Sequence, residues 1–375
     1  MSSNGDLMIE PERGEDDEER PALDVPPRDR KLLTQPFDFI VGSLKRQIED
    51  KDLILRDDFQ RRQVWDNKKA SALIESLLLN VPIPVCYFAE LDDGVYSVID
   101  GQQRLTSVYR FLDNQFALTK LSVRSELNGK SFYEMDKSDQ RLINTRAIRC
   151  ISILKESNPD IRFDIFQRLN SAAVALNPQE LRNSIYRGSL NSLVRELCKH
   201  ERFQKIRRVD ELDPRMGDAE MILRFFAFHY AASGYRSLYS RFLDEYLKAG
   251  QNADTHKIAD HRLLFIDTVD KVDAVFGTDA FRKMNADGVT NQVNRAIFDI
   301  IMLTFARIAK ERLIEHRNDI ISGLRSLCIE DNAFQEAIGG ATRDKNRVNA
   351  RLEIWQKKLT EIGLDCPLIK VGSQQ

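Results

Sequence analysis

The chain has 375 residues, 42% hydrophobic and 30% charged, with 17 Gly and 11 Pro. These proportions fit two modest globular domains and exclude collagen-like, Pro-rich and wholly disordered architectures. The formal net charge is −2, but residues 1–30 hold 10 acids and 4 bases, which leaves +4 on the remainder. A body this mildly basic permits nucleic-acid contact without demanding it.

Residues 1–33 read as a disordered acidic leader. Its opening, MSSNGDLMIEPERGEDDEER, lacks the basic and apolar regions of a signal peptide and points to the cytoplasm. A β-rich lobe with crossover helices is expected over residues 34–155 and a helical lobe over 156–375, with no internal repeat. The first ordered signals are Phe37–Leu44 and the charged helix around Lys45–Asp50. The longest apolar stretches, Leu73–Phe88 and Ala296–Ile308, carry Glu75 and Asp299 and are helix-periodic, so no membrane span is expected. The five cysteines, Cys86, Cys150, Cys198, Cys328 and Cys366, are widely spaced and form no C-x-x-C. That argues for reduced thiols rather than a disulfide framework or a zinc ribbon.

Asp66 can cap a helix from Asn67 to Leu79, in which Ala70, Leu73, Ile74, Leu77 and Leu78 form one apolar stripe before Pro82 and Pro84 end it. Val85–Leu91 reads as a strand, Asp92-Asp93-Gly94 as a tight turn and Val95–Ile99 as the returning strand. A helix with Leu105, Val108, Tyr109 and Leu112 on its apolar side follows. Asp100-Gly101-Gln102-Gln103-Arg104 therefore sits on a strand–turn–helix junction. The first N–H groups of a helix lack internal partners and carry partial positive charge, and Gly101, without a Cβ, lets a phosphate approach the backbone. Arg104 can add a forked contact to phosphate. Asp100 can hold Mg²⁺ or orient a water, and Gln102 and Gln103 can position a nucleophile or a base. The plainer reading has Asp100 capping the helix and Arg104 pairing with a surface acid.

Ile99-Asp100-Gly101-Gln102-Gln103-Arg104-Leu105-Thr106-Ser107 resembles the signature of the family named after the N-terminal domain of the GmrSD restriction enzymes, in the ParB/sulfiredoxin-like superfamily. Three further stretches match in order: Phe59 to Asp66 with Leu73 to Leu78 and Pro82-Ile83-Pro84; Ile165 to Asn170 leading to Leu176 to Asn183; and Arg215-Met216 with Glu220 and Leu223 to Ala227. The resemblance covers roughly residues 35–310. It implies an α+β fold, a ParB/sulfiredoxin-like small mixed sheet with helices followed by an all-helical lobe. It also implies a nucleotide site, because Gly101 to Arg104 matches the Gly-x-x-Arg turn that binds nucleotide phosphates in such relatives.

The resulting assignment has Asp100, Gln103 and Arg104 as catalytic residues and Gln60, Arg61, Trp65, Gly101, Gln102, Arg168 and Asn170 as nucleotide-binding residues. Asp100, with Glu75, is the candidate metal ligand. Mg²⁺ and a nucleoside triphosphate are the expected cofactors. DNA is the expected partner, with a partner nuclease or defence protein and a homodimer left open and no membrane involved. The expected function is binding and hydrolysis of a nucleoside triphosphate in DNA restriction or phage defence, with nucleotide state controlling DNA engagement. The alternatives are a ParB-like metal-dependent nuclease centred on Asp100 and a non-catalytic DNA- or partner-binding switch module. Two departures stand out. Ser171-Ala172-Ala173 occupies a place where many relatives have a Gly pair, and no His-Asn-His nuclease module is found around His200, His229, His256, His261 or His316.

Several residues keep two readings. Trp65 either stacks on a base or anchors the core, and Arg61 binds a phosphate or lies on the surface. Glu75 is a solvated edge residue or a metal ligand facing Asp100. Arg168 and Asn170 close over a ligand or cap a helix. Glu180 and Arg182 read as ties between the lobes. Arg343, Lys345, Arg347, Arg351, Lys357 and Lys358 near Trp355 form either a solvated helix face or a contact for a nucleic-acid backbone. Gly129-Lys130-Ser131 reads as a turn rather than a P-loop, since no strand feeds it. His256 and His261, five apart, diverge on a helix and suit no common metal.

Overall fold

The computed structural model describes residues 31–55, 65–91, 94–158, 177–236, 239–340, 343–367 and 369–372, together with Ile161, Arg162, Ile165 and Leu169. The acidic leader to residue 30 and the Asp92-Asp93 part of the expected turn lie outside the described residues. The chain divides into two compact units between Leu176 and Asn177.

The first unit begins with β1 (Thr34–Ile40), α1 (Val41–Glu49), β2 (Leu53–Ile54) and α2 (Asn67–Leu78). It continues with β3 (Cys86–Glu90), β4 (Tyr96–Asp100), α3 (Gln102–Leu112), α4 (Lys137–Thr145) and β5 (Ala147–Ile153). The strands form one mixed sheet in the order β1-β5-β3-β4-β2. Pairing is antiparallel for β1/β5 and β3/β4 and parallel for β5/β3 and β4/β2. The expected stripe Ala70, Leu73, Ile74, Leu77 and Leu78 is buried in α2, and the Asp66 side chain accepts the Lys69 N–H as its cap. These side chains share a core with Phe39, Phe88, Val98, Leu105, Val108, Phe111 and Ile148. Phe37, Phe39, Phe88 and Tyr96 meet in tilted and edge-on contacts on the sheet, and ring quadrupoles favour the edge-on ones.

The second unit is helical. Its helices are α5 (Pro178–Ile185), α6 (Ser189–Leu197), α7 (Glu201–Arg207), α8 (Gly217–Ala231), α9 (Tyr239–Ala249) and α10 (Thr255–Phe276). After a hairpin come α11 (Arg295–Phe305), α12 (Lys310–Glu315), α13 (Arg317–Glu330), α14 (Asn332–Ile338) and α15 (Lys345–Glu361). The hairpin, β6 (Arg282–Asn285) with β7 (Gly288–Val293), is an element that the helical sequence reading did not anticipate. α8 is buried on all sides from Gly217 to Phe228, and α11 from Ala296 to Phe305, so these two helices form the centre of the unit. Within that centre Arg224 meets Asp299 through two bonds of 2.6 Å each, and Arg351 donates to the same carboxylate at 2.6 Å.

That triad corrects the reading of the C-terminal bases as one exposed or DNA-facing surface. Arg351 is fully buried, Lys345 donates to the Gly372 carbonyl and Arg347 to the Glu336 carbonyl, and Lys358 pairs with Glu361. Arg343 lies over the Tyr239 ring, and Trp355 is buried with its Nε1–H donated to Thr304 Oγ1 at 3.1 Å. Of the six bases, Lys357 is exposed. Arg182 bonds Asp244 and Ser240, both in this unit, and Glu180 takes part in a capping box with Asn177. Gly129 does lie in a turn, its N–H bonded to the Leu118 carbonyl.

Candidate functional site

The site is organised by the end of the β3–β4 ladder. Phe88 pairs with Val98 but Tyr87 pairs with Asp100, so Ile99 is skipped and the register shifts. Such an irregularity re-aims the residues beyond it. The chain then turns at Gly101, whose φ of +96° is a conformation that favours glycine. Space gives a second reason. A Cβ on Gly101 would stand 2.4 Å from Cys86 Sγ and 2.9 Å from Cys86 Cβ. The turn is thus closed against the first residue of β3. Cys86 lies opposite Cys150 of β5 in the parallel ladder, and both thiols are fully buried. The hydrogen bond between them lowers the pKa of Cys86 against the opposing effect of burial, helped by the charge of Arg104, and raises that of Cys150. Cys86 is the more acidic of the two.

α3 starts immediately after Gly101 with no side-chain cap and no acidic residue in its first turn. The leading N–H groups of a helix, here from Gln102 onward, have no partner within the helix itself. Arg104, one turn in, donates to Asp100 Oδ2 at 2.5 Å, to the Val85 carbonyl at 3.3 Å and to the Pro84 carbonyl. This guanidinium ties the strand end, the turn and the segment entering β3 together. Its side chain is 13% exposed, against 32% for Asp100, so the acid is the more accessible member of the pair. Gln102 Oε1 is buried and has no hydrogen-bond partner among the described residues. Gln103 Oε1 accepts the Trp65 N–H at 2.9 Å, and the Trp65 indole packs partly against the core.

Glu75 has a different role. Its carboxylate accepts the N–H groups of Val123 at 2.8 Å and Arg124 at 2.9 Å, with the Ser122 hydroxyl at 3.4 Å. Burial acts to raise its pKa, but the three donors outweigh burial and the pKa falls below the ordinary 4.5. Glu75 is buried, which corrects the reading of a solvated edge residue, and its oxygens have partners other than the expected metal. Among the described residues no group of three or more His, Cys, Asp or Glu side chains could hold a metal ion.

Residues 41–187 match the family described as "GmrSD restriction endonuclease, N-terminal domain". This segment belongs to that family. No curated protein matches the chain. The matched segment contains the whole Asp100–Arg104 turn. Among the described residues no helix is long and apolar enough to cross a membrane.

The GmrSD-type domain brings Trp65, Asp100, Gly101, Gln102, Gln103 and Arg104 together around one helix N-terminus. Gln60, Arg61, Arg168 and Asn170 lie outside the described residues. Sequence reasoning missed Cys86, Arg110 and the carbonyls of Pro84 and Val85. Cys86 had no sequence signal: it comes beside Gly101 only because the ladder skips Ile99, and a regular hairpin would set it opposite Asp100.

Proposed function

We propose that the chain binds a nucleoside triphosphate at the Asp100–Arg104 turn, hydrolyses it, and uses the nucleotide state to control DNA engagement in restriction or phage defence. The observation that carries this reading is the first turn of α3, which opens at Gly101 uncapped and free of acids. Backbone N–H groups and the positive end of the helix dipole then converge where a phosphate fits. The buried Gln102 Oε1, without a partner among the described residues, supports it, since an orphaned acceptor calls for a donor such as a ribose hydroxyl or a base amine. The restriction setting rests on the family match.

Each residue then has a defined task. Gly101 admits the phosphate to the backbone. The leading N–H groups of α3 hold it, and Arg104 neutralises charge developing on the departing phosphate. Asp100, held in place by Arg104, orients the attacking water. Asp100 alone is not a metal cage, but Mg²⁺ arriving with a triphosphate needs only one or two carboxylates beside the phosphate oxygens. Bound there, it would offset phosphate charge.

The test is titration of each ribonucleoside triphosphate with Mg²⁺, followed by calorimetry and by phosphate release with and without DNA. Arg104→Ala should weaken binding about 10–100-fold, the value of one charge-assisted contact. Asp100→Asn should retain binding and lose turnover. Folded wild type that binds no triphosphate refutes the proposal. Mg²⁺-dependent plasmid nicking abolished by Asp100→Asn would favour the nuclease alternative, and binding without turnover the switch module.

A further inference from the structure

Two side chains of α3 grip the main chain of Trp65. Gln103 Oε1 accepts its N–H at 2.9 Å, and Arg110 Nη1 donates to its carbonyl at 3.3 Å. Arg110 Nη2 donates to Asn67 Oδ1 at 3.1 Å, and the guanidinium lies 5.2 Å from the centre of the Phe116 ring. Gln103 and Arg110 are seven positions apart, two helical turns, and so lie on the same face of α3. Both polar groups of one residue are taken by one helix. The grip needs the fork of an arginine, because two acceptors at different places must be met by one side chain.

We propose that Gln103 and Arg110 form a main-chain clamp that positions Trp65 relative to the anion-accepting turn. Gln103 is itself in the first turn of α3. An anion drawn onto the N–H groups of that turn acts on the residue whose side chain holds Trp65, so occupancy of the turn is passed to the indole. Both are positioning residues, and for Gln103 this replaces a direct part in the chemistry. The second half of the proposal rests on the nucleotide reading, while the clamp itself does not.

Fluorescence separates the two. The chain has two tryptophans, and Trp355 is buried, so acrylamide reports on Trp65, with Trp65→Phe as the baseline. Without nucleotide, Gln103→Leu and Arg110→Met should raise quenching and shift emission to the red. Gln103→Glu, which keeps an acceptor oxygen, should stay near wild type. Arg110→Lys, which keeps charge without the fork, should behave like Arg110→Met. Unchanged quenching in folded Gln103→Leu and Arg110→Met overturns the clamp, whatever the ligand. With ATP and Mg²⁺, wild type should show a Trp65 signal that the clamp variants lose, with KM raised about tenfold, the equivalent of one lost hydrogen bond, and kcat little changed. A loss in kcat at unchanged KM assigns Gln103 to the chemistry and overturns the positioning role. Altered quenching in the variants, with no triphosphate bound by wild type, supports the clamp and refutes the nucleotide reading.

Discussion

Gly101→Ala tests whether the turn is closed by packing as well as by backbone conformation. A non-glycine residue at φ of +96° costs about 1–2 kcal/mol. The new Cβ, 2.4 Å from Cys86 Sγ, forces a displacement in a filled core, costing about 1–3 kcal/mol. Together these destabilise the first unit by about 2–5 kcal/mol, or roughly 5–15 °C in Tm. Urea unfolding followed by tyrosine and Trp65 signals measures it. Cys86→Ala in the same background removes Sγ and leaves Cβ at 2.9 Å, so it relieves part of the steric cost and none of the conformational cost. A double-mutant cycle should therefore give a favourable coupling of about 1 kcal/mol. Gly101→Ala as stable as wild type, or strictly additive with Cys86→Ala, refutes the argument.

Asp299→Ala leaves Arg224 and Arg351 facing one another in the interior and should cost about 3–5 kcal/mol in chemical denaturation of the helical unit. Glu75, with its pKa lowered, stabilises the fold fully above the ordinary carboxylate value, and this is lost as pH falls through the lower folded value. The stability gap between wild type and Glu75→Gln should accordingly shrink below about pH 4.5 and be constant near neutrality. His229 is pushed down from 6.5 to about 4, by burial first and then by the charge of Arg307. The unfolded chain takes up its proton first, so wild-type stability should fall from pH 6.5 toward 4. His229→Phe should flatten that part of the profile, and an unchanged slope would exclude this histidine as its source.

The parts legible in the sequence were those set by neighbours along the chain. The stripe and cap of α2 and the strand–turn–helix junction at Asp100–Arg104 depend on spacings of one to eight residues, which periodicity reports directly. The hairpin at Arg282–Val293 had a local signal too, the Asp287-Gly288 pair, but it lay between long helical patterns. Contacts across long separations left no such mark. Gln103 and Trp65 are 38 positions apart, and Arg351 and Asp299 are 52 apart. A basic residue on a helix looks solvated until the helix carrying its carboxylate is known, which is why Arg351 read as surface. Glu75 failed for the same reason, since its partners are backbone N–H groups nearly fifty residues on.

Cys86, against the Gly101 turn, and Cys150, opposite it in the ladder, are both sealed from solvent. A thiol reagent can meet them only when that corner of the sheet parts, so their labelling rate is the chemical rate scaled by the fraction of time spent open. The molecule thus carries a built-in clock for the breathing of this corner, readable without adding a probe. The half-buried Cys328 and Cys366 supply a faster reference within the same chain. Any ligand that settles on the turn should slow the first pair and leave the second at its own pace.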